Sequence, residues 1–457
     1  MQLARGGGSV ASALGLLSAT LLGANSACAQ ESGAININDD TSTDLGKTRI
    51  DMSVLYYAED GGRLKAIEPV ASATLNASDG STFNVRLTSD TLTGATPNGA
   101  APWIAPQTFI TPIKTPDSET TTTSASGHSV IVTIPGTGVV ASQYTAPANS
   151  LPLDYGFKDQ RYAIDLGYSK LLAPDLRGSF GGAFSTERDY RSISFYGGVE
   201  KELFQKRTTL SASANIEFDQ SKPKIGIPVP LSPMSGLLKG PNQNKTVIGG
   251  VIGVTEVVNR FWLAQLNYSA DLSEGYQTDP YRIISVVDGG SGTPLQYLYE
   301  SRPRSRFRQS VYAASKIAAG PTVADLSARV YKDDWGVKSF TGEIKERIPF
   351  GSAFYFEPRF RYYTQGKADF FKDYLLAGAP LPAFATSDSR LGKFSAKTIG
   401  AKIGVRLGGG EFYLKGDRYI QSGDQNPPGT IPGLAGENLF TGVSATSIIV
   451  GYSFAFY

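Results

Sequence analysis

The sequence predicts an all-β fold: a transmembrane, antiparallel up-and-down β-barrel of about sixteen strands with both termini periplasmic. Three observations predict it. Apolar and polar residues alternate at period two from about residue 50 onward, with little helical periodicity. Short turns and longer connections alternate along the chain, as expected of bacterial outer-membrane barrels. The sequence closes on "SIIVGYSFAFY", where Ile448, Val450, Tyr452, Phe454 and Phe456 recur at every second position around mostly small residues. In water that stripe would need a partner surface, whereas in this fold lipid covers it.

Composition fits. The chain has 457 residues and a net charge of +2, so no strong field points to nucleic acid or to a polyanionic substrate. Hydrophobic residues make up 41%, low for a helical membrane protein. The continuous apolar run lies at the start, "MQLARGGGSVASALGLLSATLLGANSACAQ". Arg5 supplies the charged n-region, Val10 to Leu22 an apolar h-region, and Ala27-Cys28-Ala29 a small-x-small cleavage site. The h-region is too short to cross a bilayer core of roughly 30 Å. Residues 1–29 are therefore expected to be a signal peptide for export, 30–46 a periplasmic linker, and 47–457 the barrel. Asn25 stands where a lipobox would want an apolar residue, so Cys28 reads as part of the leader. A mature chain without it has no thiol, disulfide or cysteine metal site.

The strands are expected, in order, near 48–59, 63–75, 82–93, 158–172, 176–187, 191–204, 207–219 and 244–257. The rest lie near 260–273, 306–319, 322–333, 337–348, 352–365, 391–407, 411–423 and 443–457. "TTLSASANIEFD" is the cleanest, with Leu210, Ala212, Ala214, Ile216 and Phe218 on one face and Ser211, Ser213, Asn215, Glu217 and Asp219 on the other. "RFWLAQLNYSADL" and "GSAFYFEPRFRYY" repeat the pattern. Tight turns fall at "NASDG", "LAPDL", "FQKR", "VVNR", "AGPT", "PFGS" and "GGGE", and the longer connections at 95–157, 220–243, 274–305, 366–390 and 424–441. A secreted sandwich also alternates, but it does not sort short turns to one end and long loops to the other. Tyr56, Trp262, Tyr268, Phe354, Tyr362, Tyr452 and Phe456 are expected at the membrane interfaces. Within the 95–157 connection, "HSVIVTIPGTGVVASQY" reads as a hairpin of Val130–Ile134 and Val139–Ser142 around Pro-Gly-Thr-Gly.

Several stretches resemble a family of Gram-negative outer-membrane proteins known only as a domain of unknown function. They include "VLYYAEDGGRLKAIEP", "LTGATPNGA", "QLNYSADLSEGYQTDPYRIISVVD", "YLYESRPRSRFRQSVY", "DDWGVKSF" and "EPRFRYYTQGKADFF", spread over nearly the whole mature chain. The resemblance implies an outer-membrane barrel and brings no activity with it. The terminal strand also resembles the signal read by the barrel assembly machinery, in Tyr452, Phe454 and Phe456, with Tyr457 one position beyond the phase.

Catalysis is not expected. The single histidine, His128, lies in a Thr/Ser-rich loop that cannot hold a base in place. "DDTSTD" and Asp333-Asp334 lack calcium-loop spacing, and "GSGTP" and "GGG" are turn chemistry, so no cofactor or metal is expected. The lumen face carries the information. Glu200, Glu202, Glu217 and Asp271 are expected to line it with Arg329, Lys345, Arg347, Arg359 and Arg361, acids dominating the first half and bases the second. Such walls set a transverse field that favours polar solutes, unless cross-strand ion pairs merely solvate the interior. Arg302, Arg304 and Arg306 are expected at the external rim, facing solvent or lipopolysaccharide phosphates. The expected role is a porin-like channel for small polar solutes, with trimerisation an analogy to general porins. The alternative is a surface barrel with a plugged lumen that displays loops for adhesion, reception or assembly.

Overall fold

The computed structural model describes residues 46–112, 129–133, 140–223, 225–236 and 239–456. The expected leader 1–29, the linker up to residue 45, His128 and Tyr457 lie outside these residues.

Sixteen strands form one closed barrel. The first half is β1 (Thr48–Glu59), β2 (Lys65–Asn76), β3 (Thr82–Pro97), β4 (Leu153–Ala173), β5 (Leu176–Thr186), β6 (Tyr190–Leu203), β7 (Thr208–Ser221) and β8 (Gln243–Asn259). The second is β9 (Trp262–Gly275), β10 (Ser305–Ala319), β11 (Thr322–Asp333), β12 (Lys338–Phe350), β13 (Phe354–Gln365), β14 (Phe394–Leu407), β15 (Gly410–Ser422) and β16 (Ser444–Phe456). Each pairs antiparallel with its neighbour in sequence, and β16 returns to β1 in register from Thr48↔Phe456 to Glu59↔Ala445. No edge is left, as a sheet in hydrocarbon requires, because each unpaired backbone group there costs several kcal/mol.

The outer face is apolar and the inner face polar. Ile67 is 52% exposed, while its neighbour Glu68 is 8% exposed. The same alternation runs round the ring, with Met52, Leu87, Ile164, Phe195, Leu210, Ile252, Leu266, Val330, Ile344, Phe360, Ile399 and Val450 all exposed on the outside. Period-two alternation therefore sorts the side chains between lipid and lumen, and this is the outer surface of a transmembrane barrel. Trp262 and Phe354 open β9 and β13 and Phe456 closes β16, so exposed aromatics gather at the short-turn end. Tyr452, Phe454 and Phe456 stack in a ladder with ring centroids 5.5 and 6.0 Å apart.

Connections of two to five residues join strands at that end, including 174–175, 260–261, 320–321 and 408–409. The turn between β6 and β7 is unusual. Phe204, Gln205 and Lys206 take successive φ values of 51°, 58° and 68°, a left-handed run that L-residues resist by about 1–2 kcal/mol each. Gln205→Gly should therefore stabilise the barrel by a few tenths to about 1 kcal/mol, after the entropy glycine adds to the unfolded chain. A denaturant titration in detergent micelles checks it, and a loss of stability would show that the turn's side chains matter more than its backbone.

At the opposite end lie the segments 98–152, 222–242, 276–304, 366–393 and 423–443. The expected hairpin is present as Ser129–Thr133 against Val140–Ala146, and a further strand, Gln107–Pro112, pairs on the other side of Val140–Ala146.

Candidate functional site

The lumen wall is built by the inward positions of each strand. On β2 to β7 these bring Glu68, Asp90, Asp165, Glu200, Glu217 and Asp219. On β10 to β14 they bring Arg308, Arg329, Lys345, Arg359, Arg361 and Lys402. Each arc holds some countercharge. Arg161 meets Asp90 at 2.6 Å and Glu68 at 4.0 Å, and Lys245 meets Asp219 at 2.8 Å. On the basic arc, Arg359 is nearly buried and bridges Glu343 at 2.7 Å to Asp417 of β15 at 3.2 Å. Lys345 shares Glu343 at 2.8 Å, and Arg347 pairs with Glu357 at 3.1 Å. These pairs link strands no more than two places apart, so they brace the wall rather than cross the lumen.

On the basic arc, Arg329 and Arg361 stand outside this bracing. Among the described residues Arg329 and Arg361 have neither an ion pair nor a hydrogen bond, and the Arg329 Nε is buried without a partner. Asp271 is committed to Arg308, and Glu343 to Lys345 and Arg359.

Above the lumen the long connections pack into a cap. Ala100, Phe109, Tyr144, Ala146, Met234, Ile283 and Tyr299 form one buried cluster. Ile284, Val286, Leu298, Leu375 and Ala385 form a second, and a three-stranded sheet joins Ile283–Val287 to Pro294–Tyr299 and to Leu375–Leu376. A third cluster, Trp335, Val337, Ala368 and Leu391, ties the cap to the β11–β12 rim. Segments 98–152, 276–304 and 366–393 leave the ring at β3/β4, β9/β10 and β13/β14, four to six places apart on a ring of sixteen. Segments that start so far apart and touch must span the mouth. Gly99 marks the crossing. Its φ is +101°, and a Cβ there would fall 2.2 Å from the Ile283 carbonyl oxygen and 2.6 Å from Ser387 Oγ. Ser387 Oγ itself lies 2.7 Å from the Gly99 carbonyl and 2.8 Å from that of Ile283, donating to one at a time.

An ionic knot locks the layer. Arg302 spans Glu300, 2.7 Å away, and Asp388, 2.8 Å away. Arg390 grips Asp388 at 2.6 Å and reaches Asp279 at 3.2 Å, while Arg282 lies 3.9 Å from Asp388. Three guanidiniums thus face three carboxylates. Asp279 N–H and Thr386 Oγ1 also donate to Glu300. Burial opposes ionisation of Asp388, yet Arg390, Arg282 and Arg302 outweigh it and hold the carboxyl well below the usual range. Burial dominates at Glu300 and pushes it up despite Arg302. The signs differ. A lowered folded value means that Asp388 stabilises the cap fully above its unfolded value near 4, and that this is lost as pH falls through the folded one. Glu300 works the other way, since protonation relieves its burial cost. Protease sensitivity of the cap in micelles should therefore hold level or fall from about pH 8 to about pH 5, as Glu300 takes up its proton, and rise only below about pH 4. A rise near neutral pH would show that the knot does not hold the cap.

The structure places the expected lumen residues on the inner face. Glu200 stands opposite Arg177 across the β5–β6 pairing, Glu202 pairs with Lys206 at 3.1 Å by the short-turn end, and Glu217 lies beside Asp219. Asp271 pairs with Arg308 across β9 and β10. The rim arginines are different from expectation. Arg304 alone is exposed. Arg302 is inside the cap knot, and Arg306 pairs with Asp333 and stacks 4.3 Å from the Trp335 ring, so neither is free for lipopolysaccharide. Sequence reading missed the cap carboxylates. The signal available was the run "IISVV", too apolar for an exposed loop, followed by Glu300 and Arg302 in alternation.

Comparison with known proteins follows the fold. A family model described as "Protein of unknown function (DUF3570)" matches residues 11–454. No curated protein matches the chain. Among solved structures, the ferric enterobactin receptor of Pseudomonas aeruginosa, as a mutant, is similar at 11% identity and a TM-score of 0.41, over 82% of this chain and 54% of that one. The chain thus spans about half the length of that receptor. The outer membrane protein opdK of the same organism is similar at 8% identity and a TM-score of 0.36, over 90% of this chain and 99% of that one. OccK2 (OpdF), also from Pseudomonas aeruginosa, gives 9% identity and a TM-score of 0.36.

Proposed function

For a chain that belongs to the DUF3570 family of proteins of unknown function, and that folds as an outer-membrane β-barrel, we propose the role of a capped, solute-selective channel. The observation that carries the reading is the charge segregation of the inner wall, acidic on β2 to β7 and basic on β10 to β14, with Arg329 and Arg361 left without partners. A wall that only needed solvation would neutralise these locally, at little cost on a sheet face. A polar solute entering between the arcs meets a transverse field that orders water and disfavours apolar cargo. The cap spans the external mouth and decides access, so conduction requires the cap to move or solute to pass along its polar seams. No catalytic step, cofactor or metal is needed. Lipid and lipopolysaccharide surround the barrel in this proposal, the barrel assembly machinery inserts it, and a homotrimer enters it only by analogy with general porins.

A second reading has its own support. The cap contains side chains with no exposure at all, among them Phe109, Ile283 and Glu300, as a permanent plug would. A plugged barrel would act as a surface scaffold for adhesion, reception or assembly. Single-channel recording of the refolded mature protein in a planar bilayer separates the two. The channel reading expects stable conductance whose reversal potential shifts toward cation selectivity in Arg361→Glu. Silence that persists after 110–150 is deleted would overturn it and leave the scaffold.

A further inference from the structure

We propose that Arg329 and Arg361 form a binding site for a small dicarboxylate on the basic wall beneath the cap; the inference rests on the channel reading and names the solute class. Both guanidiniums face the lumen with their donors unspent, one of them with a buried Nε that meets no acceptor. Every nearby carboxylate is committed elsewhere. Asp271 binds Arg308, Asp333 binds Arg306, and Glu343 binds Lys345 and Arg359. Neither guanidinium bonds to a neighbouring hydroxyl: Tyr331 donates to Asp333 at 2.8 Å and accepts from Arg306, and Tyr363 donates to Gln365 at 2.6 Å. A buried donor with no acceptor is costly, and an anion bound there would remove that cost.

The chemistry of the pair selects the ligand. Two uncompensated charges call for a dianion, and the planar fork of arginine matches a carboxylate through two parallel bonds where lysine would offer a point charge. The spacing selects its length. Arg329 lies opposite Thr341, and Arg361 opposite Glu343, so the two residues sit on strands two places apart and one inward position out of level. Strands two places apart are separated by about 10 Å. Long side chains can close part of that gap, leaving a span that two carboxylates on a short carbon chain fill better than one compact anion does.

Isothermal titration of the refolded mature protein in detergent with succinate tests the site without relying on conduction. Binding in the millimolar range is expected, falling about tenfold in Arg329→Gln and again in Arg361→Gln, each losing a charge-assisted pair. Arg304→Gln, at the exposed position outside the cap knot, should leave it unchanged. Heat-modifiable migration on gels confirms that each variant is folded. Absence of succinate binding, or binding unaffected in the double variant, would overturn the site. Acetate binding as tightly as succinate, or phosphate in its place, would overturn the two-carboxylate assignment. A barrel that conducts but does not bind succinate loses this inference alone, whereas one that binds but never conducts loses the channel reading alone.

Discussion

Asp388→Ala should undock the cap. The substitution leaves Arg282, Arg302 and Arg390 with Glu300 and Asp279 alone, and Arg302 and Asp388 are both close to fully buried in the parent. Breaking a buried pair by removing one partner typically costs about 3–5 kcal/mol, because the orphaned charge stays desolvated. The cap is made of segments that the barrel does not need for closure, so this energy is lost locally rather than globally. The expected result is rapid proteolysis at 276–304 and 366–393 while the barrel keeps its heat-modifiable migration, together with a severalfold rise in conductance. A variant whose cap stays protected would show that the apolar clusters around Ile283 and Ile284 suffice without the knot.

Arg359→Met should destabilise the barrel itself. Arg359 is 7% exposed and joins β12 to β15 by way of Glu343 and Asp417, and methionine keeps the stem while deleting the charge. Two carboxylates then remain close together on a wall with less countercharge, at a cost of about 3–5 kcal/mol. Arg361→Met, one inward position away on the same strand, should cost less than about 1 kcal/mol because no partner is orphaned. Denaturant titrations of the two variants in the same micelles check the contrast. Equal losses would mean that Arg361 is braced as firmly as Arg359.

The barrel was legible because its information is local. Thr48–Glu59 and Thr322–Asp333 begin and end where alternation and turn residues place them, since a two-faced strand needs only its own pattern to choose lipid or lumen. The inner and outer faces follow from the same local pattern. The cap was not legible, because its contacts join distant segments. Nothing near Arg302 in sequence announces Asp388, and nothing near Gly99 announces Ser387. "ESRPRSRFR" looks like a solvated rim for as long as its partners are unknown. The same holds inside the lumen. Sequence placed Lys345 and Arg347 on one face with Glu343, but only the register shows that Lys345 and Arg359 share that carboxylate while Arg347 turns to Glu357.

The pairing of β1 with β16 sets an order in time. Fifteen of the sixteen seams join neighbours in sequence and can zip progressively, whereas the last joins the two ends of the sheet. Until it forms, the growing ribbon carries two live edges, each a row of unpaired amides that hydrocarbon penalises and that any stray strand can capture. The entropy of bringing such distant segments together rises only with the logarithm of their separation, so the difficulty is exposure rather than distance. A sheet of this design therefore has a vulnerable interval between its first strand and its last. Its half-built form is the species most at risk of aggregation, and shielding the edges of β1 and β16 during that interval is where an escort would have the largest effect on yield.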